Sequence, residues 1–109
     1  MSKNRKCQVL VIGAGPGGYV AAIRSAQLGL DTIIVEGEKA GGVCLNVGCI
    51  PSKAIIHAAE RYEALGKHSK EEGHMGITVS GNTEIEMKGI VEWKDGIVQR
   101  LTKGVETLV

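Results

Sequence analysis

The stretch Gly13-Ala14-Gly15-Pro16-Gly17-Gly18 has the spacing G-x-G-x-x-G, and its neighbours leave few folds open to the chain. Before it, Cys7-Gln8-Val9-Leu10-Val11-Ile12 is a short apolar run with β-branched residues, which predicts a buried parallel strand. After it, Gly17 to Leu28 is built of small or helix-forming residues, and Gly29 is placed to close that helix from the C′ position. A second strand is predicted over Asp31 to Glu36, with the acid at its carboxyl end. Each part has a physical task. Gly13 permits the tight turn out of the strand, Gly15 lets a pyrophosphate approach the backbone, and Gly18 lets helix and strand pack closely. The helix start offers free N–H groups and a positive dipole end to phosphates. Glu36 lies where a carboxylate accepts hydrogen bonds from ribose hydroxyls. The combination predicts a dinucleotide site without separating FAD from NAD.

The second organising stretch is Gly41-Gly42-Val43-Cys44-Leu45-Asn46-Val47-Gly48-Cys49-Ile50-Pro51-Ser52-Lys53. It holds two of the three cysteines, with four residues between them. On a regular helix, positions five apart have Cα atoms about 8.7 Å apart and lie roughly 140° round the axis. A disulfide requires Cα atoms closer than about 7 Å. Cys44 and Cys49 therefore cannot bridge across undistorted helix. Gly48 and Pro51 predict an irregular first turn and a bridge in a small tight loop, a working disulfide rather than a structural one. A zinc site is the competing reading, but the spacing is not a usual zinc spacing and no histidine is suitably placed.

Downstream, Ser52 to Leu65 is predicted as a helix with Ala54, Ile55, Ala58, Ala59, Tyr62 and Leu65 on one apolar face, ended by Gly66. Lys67 to Gly76 reads as a polar surface loop holding His68 and His74, and Ile77-Thr78-Val79 as a short extended piece. Thr83-x-x-Glu86 has the form of a capping box. Beyond it Ile90, Trp93, Ile97, Leu101, Val105 and Leu108 recur three or four apart, which predicts a long amphipathic helix with Trp93 in the core. Cys7 is expected to be a small, at least half-buried hydrophobe.

Composition narrows the function. A net charge of +1 gives no reason to expect nucleic acid or acidic membranes as partners. No apolar run reaches the roughly 18 residues of a membrane span. The polar start leaves no room for a signal or transit peptide, and three cysteines fit a reducing compartment, so a cytoplasmic location is expected.

With both motifs in order, the chain resembles the flavin disulfide reductases. Within them, Cys44 to Lys53 is most similar to the dihydrolipoamide dehydrogenases. Glutathione and thioredoxin reductases usually carry Lys where this chain has Ser52, and mercuric reductases Val where it has Leu45.

The resemblance implies an α/β, Rossmann-like FAD-binding fold, truncated, with residues 1–109 the N-terminal part of the FAD domain. By the same resemblance, the NAD-binding and dimerisation domains are expected to fall outside these residues. FAD would be held by Gly13, Gly15, Pro16, Gly17, Gly18 and Glu36, with Gly42, Val43, Cys44 and Lys53 beside it. Cys44 would be the interchange thiol and Cys49 the thiol against the flavin. The implied reaction oxidises dihydrolipoyl groups of 2-oxo acid dehydrogenase complexes, electrons passing to NAD⁺. The implied partners are a lipoyl domain and a second copy in a homodimer. His57, His68 and His74 do not match the family's acid/base histidine, which lies in the dimerisation domain. The fragment alone is expected to lack turnover and to bind FAD weakly. The alternatives are a mercuric or glutathione type of reductase, or a non-catalytic nucleotide-binding fragment.

Overall fold

The computed structural model describes residues 3–68 and 75–109. Two short strands, β1 (Val9–Ile12) and β2 (Thr32–Val35), pair in parallel with Val9 opposite Thr32 and Ile12 opposite Val35. Helix α1 (Pro16–Gln27) crosses between them and packs on both, burying Ala22. Gly29, at φ +83°, ends it as expected. The chain then forms α2 (Gly42–Val47), α3 (Cys49–His68) and α4 (Met87–Leu108). Helix α4 packs on both α2 and α3. The β–α–β start and the α/β class thus follow the expectation.

The burial does not. Val9 and Val11 are half-buried towards α1, whereas Leu10 and Ile12 face outward, Ile12 with 82% of its surface exposed. A parallel strand is buried when both faces are covered; here α1 covers one. Buried hydrophobic residues among those described are Ala14, Ala22, Leu45, Ala54 and Val105. The radius of gyration is 21.1 Å, against about 13 Å for a compact domain of roughly 100 residues. This elongated frame presents more apolar surface than it covers.

Several boundaries need correction for physical reasons. The cysteine stretch is helical through α2 rather than a loop. Helix α3 runs past Gly66 to His68, so the expected loop from Lys67 loses its first two residues. The Glu63–Lys67 ion pair at 3.4 Å bridges the last turn in the favourable order and helps offset the glycine. Glu71, Glu72 and His74 lie outside the described residues. Ile77 forms an isolated bridge residue in place of a strand.

The capping box is not used: α4 begins at Met87 with Glu86 at its N-cap and no side-chain cap bond. Glu84 and Ile85 instead run along α3, lining a groove of about 470 Å³ with Tyr62, Leu65 and Trp93. Of the predicted face of α3, Ala54 is buried and Ala58 half-buried, while Ile55, Tyr62 and Leu65 stay exposed. On α4 the inward stripe is Ile90, Lys94, Ile97, Val98, Thr102 and Val105. Trp93, 46% exposed, is not in the core; its ring stacks near His57, centroids 6.4 Å apart. The apolar arc of α4 is wider than its contact with α2 and α3, so one edge of it turns outward.

Against the expectation of no membrane-length segment, the 26-residue helical stretch Gly42–Lys67 is long and apolar enough, by length and composition, to cross a membrane. Its apolar residues are interrupted by scattered polar ones, so no unbroken apolar run marks it in the sequence. Interior helices of globular domains meet the same criterion. Gly48 interrupts the stretch between α2 and α3, and Asn46 ties its first part to α4.

Candidate functional site

The site begins at the carboxyl ends of the two strands. The Gly13 N–H donates to the Val35 carbonyl at 2.7 Å, carrying the ladder one residue past β1. Ala14, 2% exposed, has both backbone groups engaged: its N–H donates to Glu36 Oε2 at 2.7 Å, and its carbonyl accepts the Gly41 N–H at 2.7 Å. Three separate segments are fastened there. Glycine is required by close approach at two places. A Cβ on Gly18 would overlap the Gly13 carbonyl, and one on Gly42 would sit 2.7 Å from the Gly15 Cα. The turn before α1 and the start of α2 therefore cross without side chains between them.

Helix α1 begins with Pro16, its first ladder bond running from the Tyr19 N–H to the Gly15 carbonyl at 2.9 Å. The N–H groups of Gly17 and Gly18 precede that ladder, and no acidic residue occupies the first turn. Such a terminus attracts an anion.

Glu36 stands at the end of β2. Its carboxyl is held below the ordinary glutamate range, chiefly by the Ala14 N–H and then by the Glu38 N–H. The Gly37 N–H adds a smaller effect, and burial opposes all three. Glu36 is therefore firmly ionised, and its first task is internal: it clamps the glycine turn to the second strand. Each carboxylate oxygen keeps a further lone pair for a ligand. Glu36 also lines a cavity of about 660 Å³, together with Glu38 and Lys39 after β2, Gly42, Val43, Asn46 and Val47 of α2, and Asp95, Val98 and Gln99 of α4. That size suits a substantial part of a small-molecule ligand.

Cys44 and Cys49 form a disulfide, with Cα atoms 4.6 Å apart. The helix breaks between them at Gly48, φ −124° and ψ −108°, and this shortens the distance from the regular helical value. Cys44 is half-buried and Cys49 exposed. Leu45, 6% exposed, points into the core against Gly41. Asn46 donates through Nδ2 to the carbonyls of Ala40 at 3.0 Å and Gly42 at 2.9 Å, while its Oδ1 accepts the Thr102 hydroxyl at 3.0 Å.

Of the expected site residues, Gly15 meets Gly42, and Glu36, Gly42 and Val43 share the cavity. Pro16 and Gly17 are exposed at the start of α1. The disulfide does not line that cavity; it joins Cys44 of α2 to the first residue of α3. Lys53 is exposed one turn beyond Cys49 and lines neither opening. Cys7 is a free, half-buried thiol. Asn46 and Thr102 are functional candidates that the sequence reading does not single out. The one available signal was a polar amide set between two apolar residues, Leu45 and Val47, inside the cysteine pair.

Comparison with known proteins follows the same lines. The profile of the family described as pyridine nucleotide-disulphide oxidoreductase matches residues 7–109. A dihydrolipoyl dehydrogenase of Pseudomonas aeruginosa is 54% identical over 109 residues, covering 100% of this chain and 23% of that protein. That of Geobacillus stearothermophilus is 58% identical over 102 residues, 94% of this chain and 21% of its own. That of Bacillus subtilis is 57% identical over 100 residues, 92% of this chain and 20% of its own. The chain thus spans about a fifth of the length of the curated relatives it matches. Among solved structures, the Cu(II) complex of the HOCl-induced flavoprotein disulfide reductase RclA from Escherichia coli superposes with a TM-score of 0.69. At 22% identity, over 93% of this chain and 19% of that one, it shows a shared fold.

Proposed function

Because this chain belongs to the pyridine nucleotide-disulphide oxidoreductase family, we propose that it is the FAD-binding, disulfide-bearing segment of a dihydrolipoyl dehydrogenase. The observation that carries the proposal is the Cys44–Cys49 disulfide, which ties α3 to the short helix α2 whose first residues, Gly42 and Val43, wall the cavity beside Glu36. The surroundings fit a dinucleotide. The side-chain-free crossing of Gly15 and Gly42 gives phosphates access to backbone, the start of α1 offers N–H donors with no competing acid, and ionised Glu36 has acceptor capacity left for ribose hydroxyls. Gly13, Gly15, Pro16, Gly17 and Gly18 would hold the pyrophosphate, Glu36 the ribose, and Gly42, Val43, Cys44 and Lys53 the side nearer the flavin. FAD, when bound, supplies a two-electron acceptor.

The chain's own part is thiol–disulfide exchange. A thiolate of a dihydrolipoyl group attacks the Cys44 sulfur and Cys49 leaves as a thiolate. The substrate's second thiol then displaces Cys44, so the lipoyl group departs as a cyclic disulfide and both cysteines are reduced. Lys53, four residues after Cys49 on α3, is on the right helical face to favour the Cys49 thiolate. In this chain Cys49 is the more exposed of the two sulfurs, so assigning Cys44 to the exchange step rests on the family resemblance rather than on solvent access. NAD⁺ is the proposed final acceptor, a lipoyl domain and a second copy the proposed partners, and the cytoplasm the proposed compartment. The NAD-binding and dimerisation domains would lie outside residues 1–109, which by themselves are expected to lack turnover.

The test is direct. Full-length protein is expected to purify yellow and to reduce NAD⁺ with dihydrolipoamide in preference to glutathione or Hg²⁺ chemistry, and to lose this in Cys44→Ser and in Cys49→Ser. Colourless protein carrying stoichiometric NAD, or turnover unchanged in both variants, would overturn the proposal.

A further inference from the structure

Resting on the reading of Cys44 and Cys49 as a redox pair, we propose that Thr102 of α4, acting through Asn46, is a positioning residue that biases this pair towards the disulfide. Helix α2 has six residues, too few to hold its own shape in water. Its orientation is therefore set by its ties to neighbours, and among the described residues Asn46 supplies the side-chain hydrogen bond from it to α4. The two Nδ2 hydrogens are spent on the Ala40 and Gly42 carbonyls, which fixes the side-chain carbonyl towards α4, where it accepts the Thr102 hydroxyl across 56 positions of sequence. Both partners are part-buried. Helix α4 also packs on α3, the helix that begins at Cys49. The same long helix thus grips the element that bears Cys44 and the element that bears Cys49, and the Thr102 hydroxyl is its hydrogen bond to the first.

Loss of that bond lets α2 turn relative to α3, so each thiol of the reduced pair spends less time where it meets the other. Effective concentration falls, and the disulfide becomes easier to reduce. The exchange read in the test is balanced: one external dithiol becomes a cyclic disulfide while the Cys44–Cys49 bond becomes two thiols, with two electrons transferred.

Full-length protein is equilibrated in dithiothreitol buffers of set reduced-to-oxidised ratio, and free Cys44 and Cys49 are trapped by alkylation and counted by mass spectrometry. Thr102→Val is expected to become half-reduced at a ratio about tenfold lower than the parent, about 30 mV towards easier reduction. Thr102→Ser, which keeps the hydroxyl, is expected to stay within about twofold of the parent. Thr102→Ala, with its better helix propensity, repeats the shift and stands in if the valine variant does not fold. Thr107→Val removes a hydroxyl that bonds to the Lys103 carbonyl of α4 itself, and is expected to leave the ratio unchanged. The inference is overturned if the valine and alanine variants match the parent, if serine fails to restore it, or if Thr107→Val shifts it equally. Failure of the underlying redox reading looks different: the parent disulfide would resist every dithiol ratio until the protein unfolds.

Discussion

The Glu36 carboxylate accepts the N–H of Ala14 at 2.7 Å from 22 positions away, so the acid expected to serve a ligand also holds the ligand's cradle in shape. Substitution therefore separates two effects. Glu36→Ala is expected to lower the melting temperature without ligand, because the Ala14 N–H loses its acceptor, and to lower FAD retention as well. Glu36→Gln keeps an acceptor for Ala14 but loses the charge and the oxygen that accepts the Glu38 N–H, and is expected to melt between the alanine variant and the parent while still losing flavin. Melts with and without FAD check this; an alanine variant that melts like the parent in the absence of flavin would remove the clamp from the account.

The same contact sets a pH dependence. The folded carboxyl is held below its unfolded value by the Ala14 N–H, so its contribution to stability is present above the ordinary glutamate range and disappears as pH falls through the lowered folded value. Glu36→Gln is expected to flatten that part of the curve. Denaturation midpoints taken between about pH 7 and about pH 3 in both proteins decide it; parallel curves would assign the acid sensitivity to other carboxylates.

The crossing of the two glycine turns predicts a contrast. Gly42→Ala places a Cβ 2.7 Å from the Gly15 Cα at a φ of +65°, and is expected to cost about 1–3 kcal/mol in urea denaturation. Gly17→Ala meets no atom within 4 Å and is expected to change stability by less than about 0.5 kcal/mol. Equal costs at the two positions would mean that the close approach does not matter.

Leu45 anchors the inner side of the cysteine-bearing helix, and Leu45→Ala is expected to destabilise by about 2–3 kcal/mol, near the low end for a buried leucine because this core is thin. In the reduced protein it is also expected to quicken alkylation of Cys44. Unchanged alkylation with lowered stability would place the leucine in general packing alone.

Features fixed by the local chain were legible in the residues. The strand, glycine turn and helix from Val9 to Gly29 follow from periodicity and backbone sterics, and the short Cys44–Cys49 distance follows from the impossibility of bridging a regular helix. What stayed hidden depends on neighbours distant in sequence. Leu10 and Ile12 look like core residues until the number of layers over β1 is known. Trp93 falls on the apolar face of α4, yet lies on the edge of that face that turns outward. Thr83 and Glu86 satisfy a local capping rule, yet α4 starts at Met87 with Glu86 at its N-cap and residues 84–86 line the groove beside α3. The Asn46–Thr102 bond links positions 56 apart, and no local pattern announces such a pair.

The interruption of the helix at Gly48 has a mechanical result. One sulfur belongs to a short rod and the other to a long one, and the glycine is the joint between them. A bond that straddles a joint forms or breaks by a change of angle, whereas forming one within a regular rod would cost turns of helix. Sulfur chemistry at this position can run back and forth while both rods stay wound.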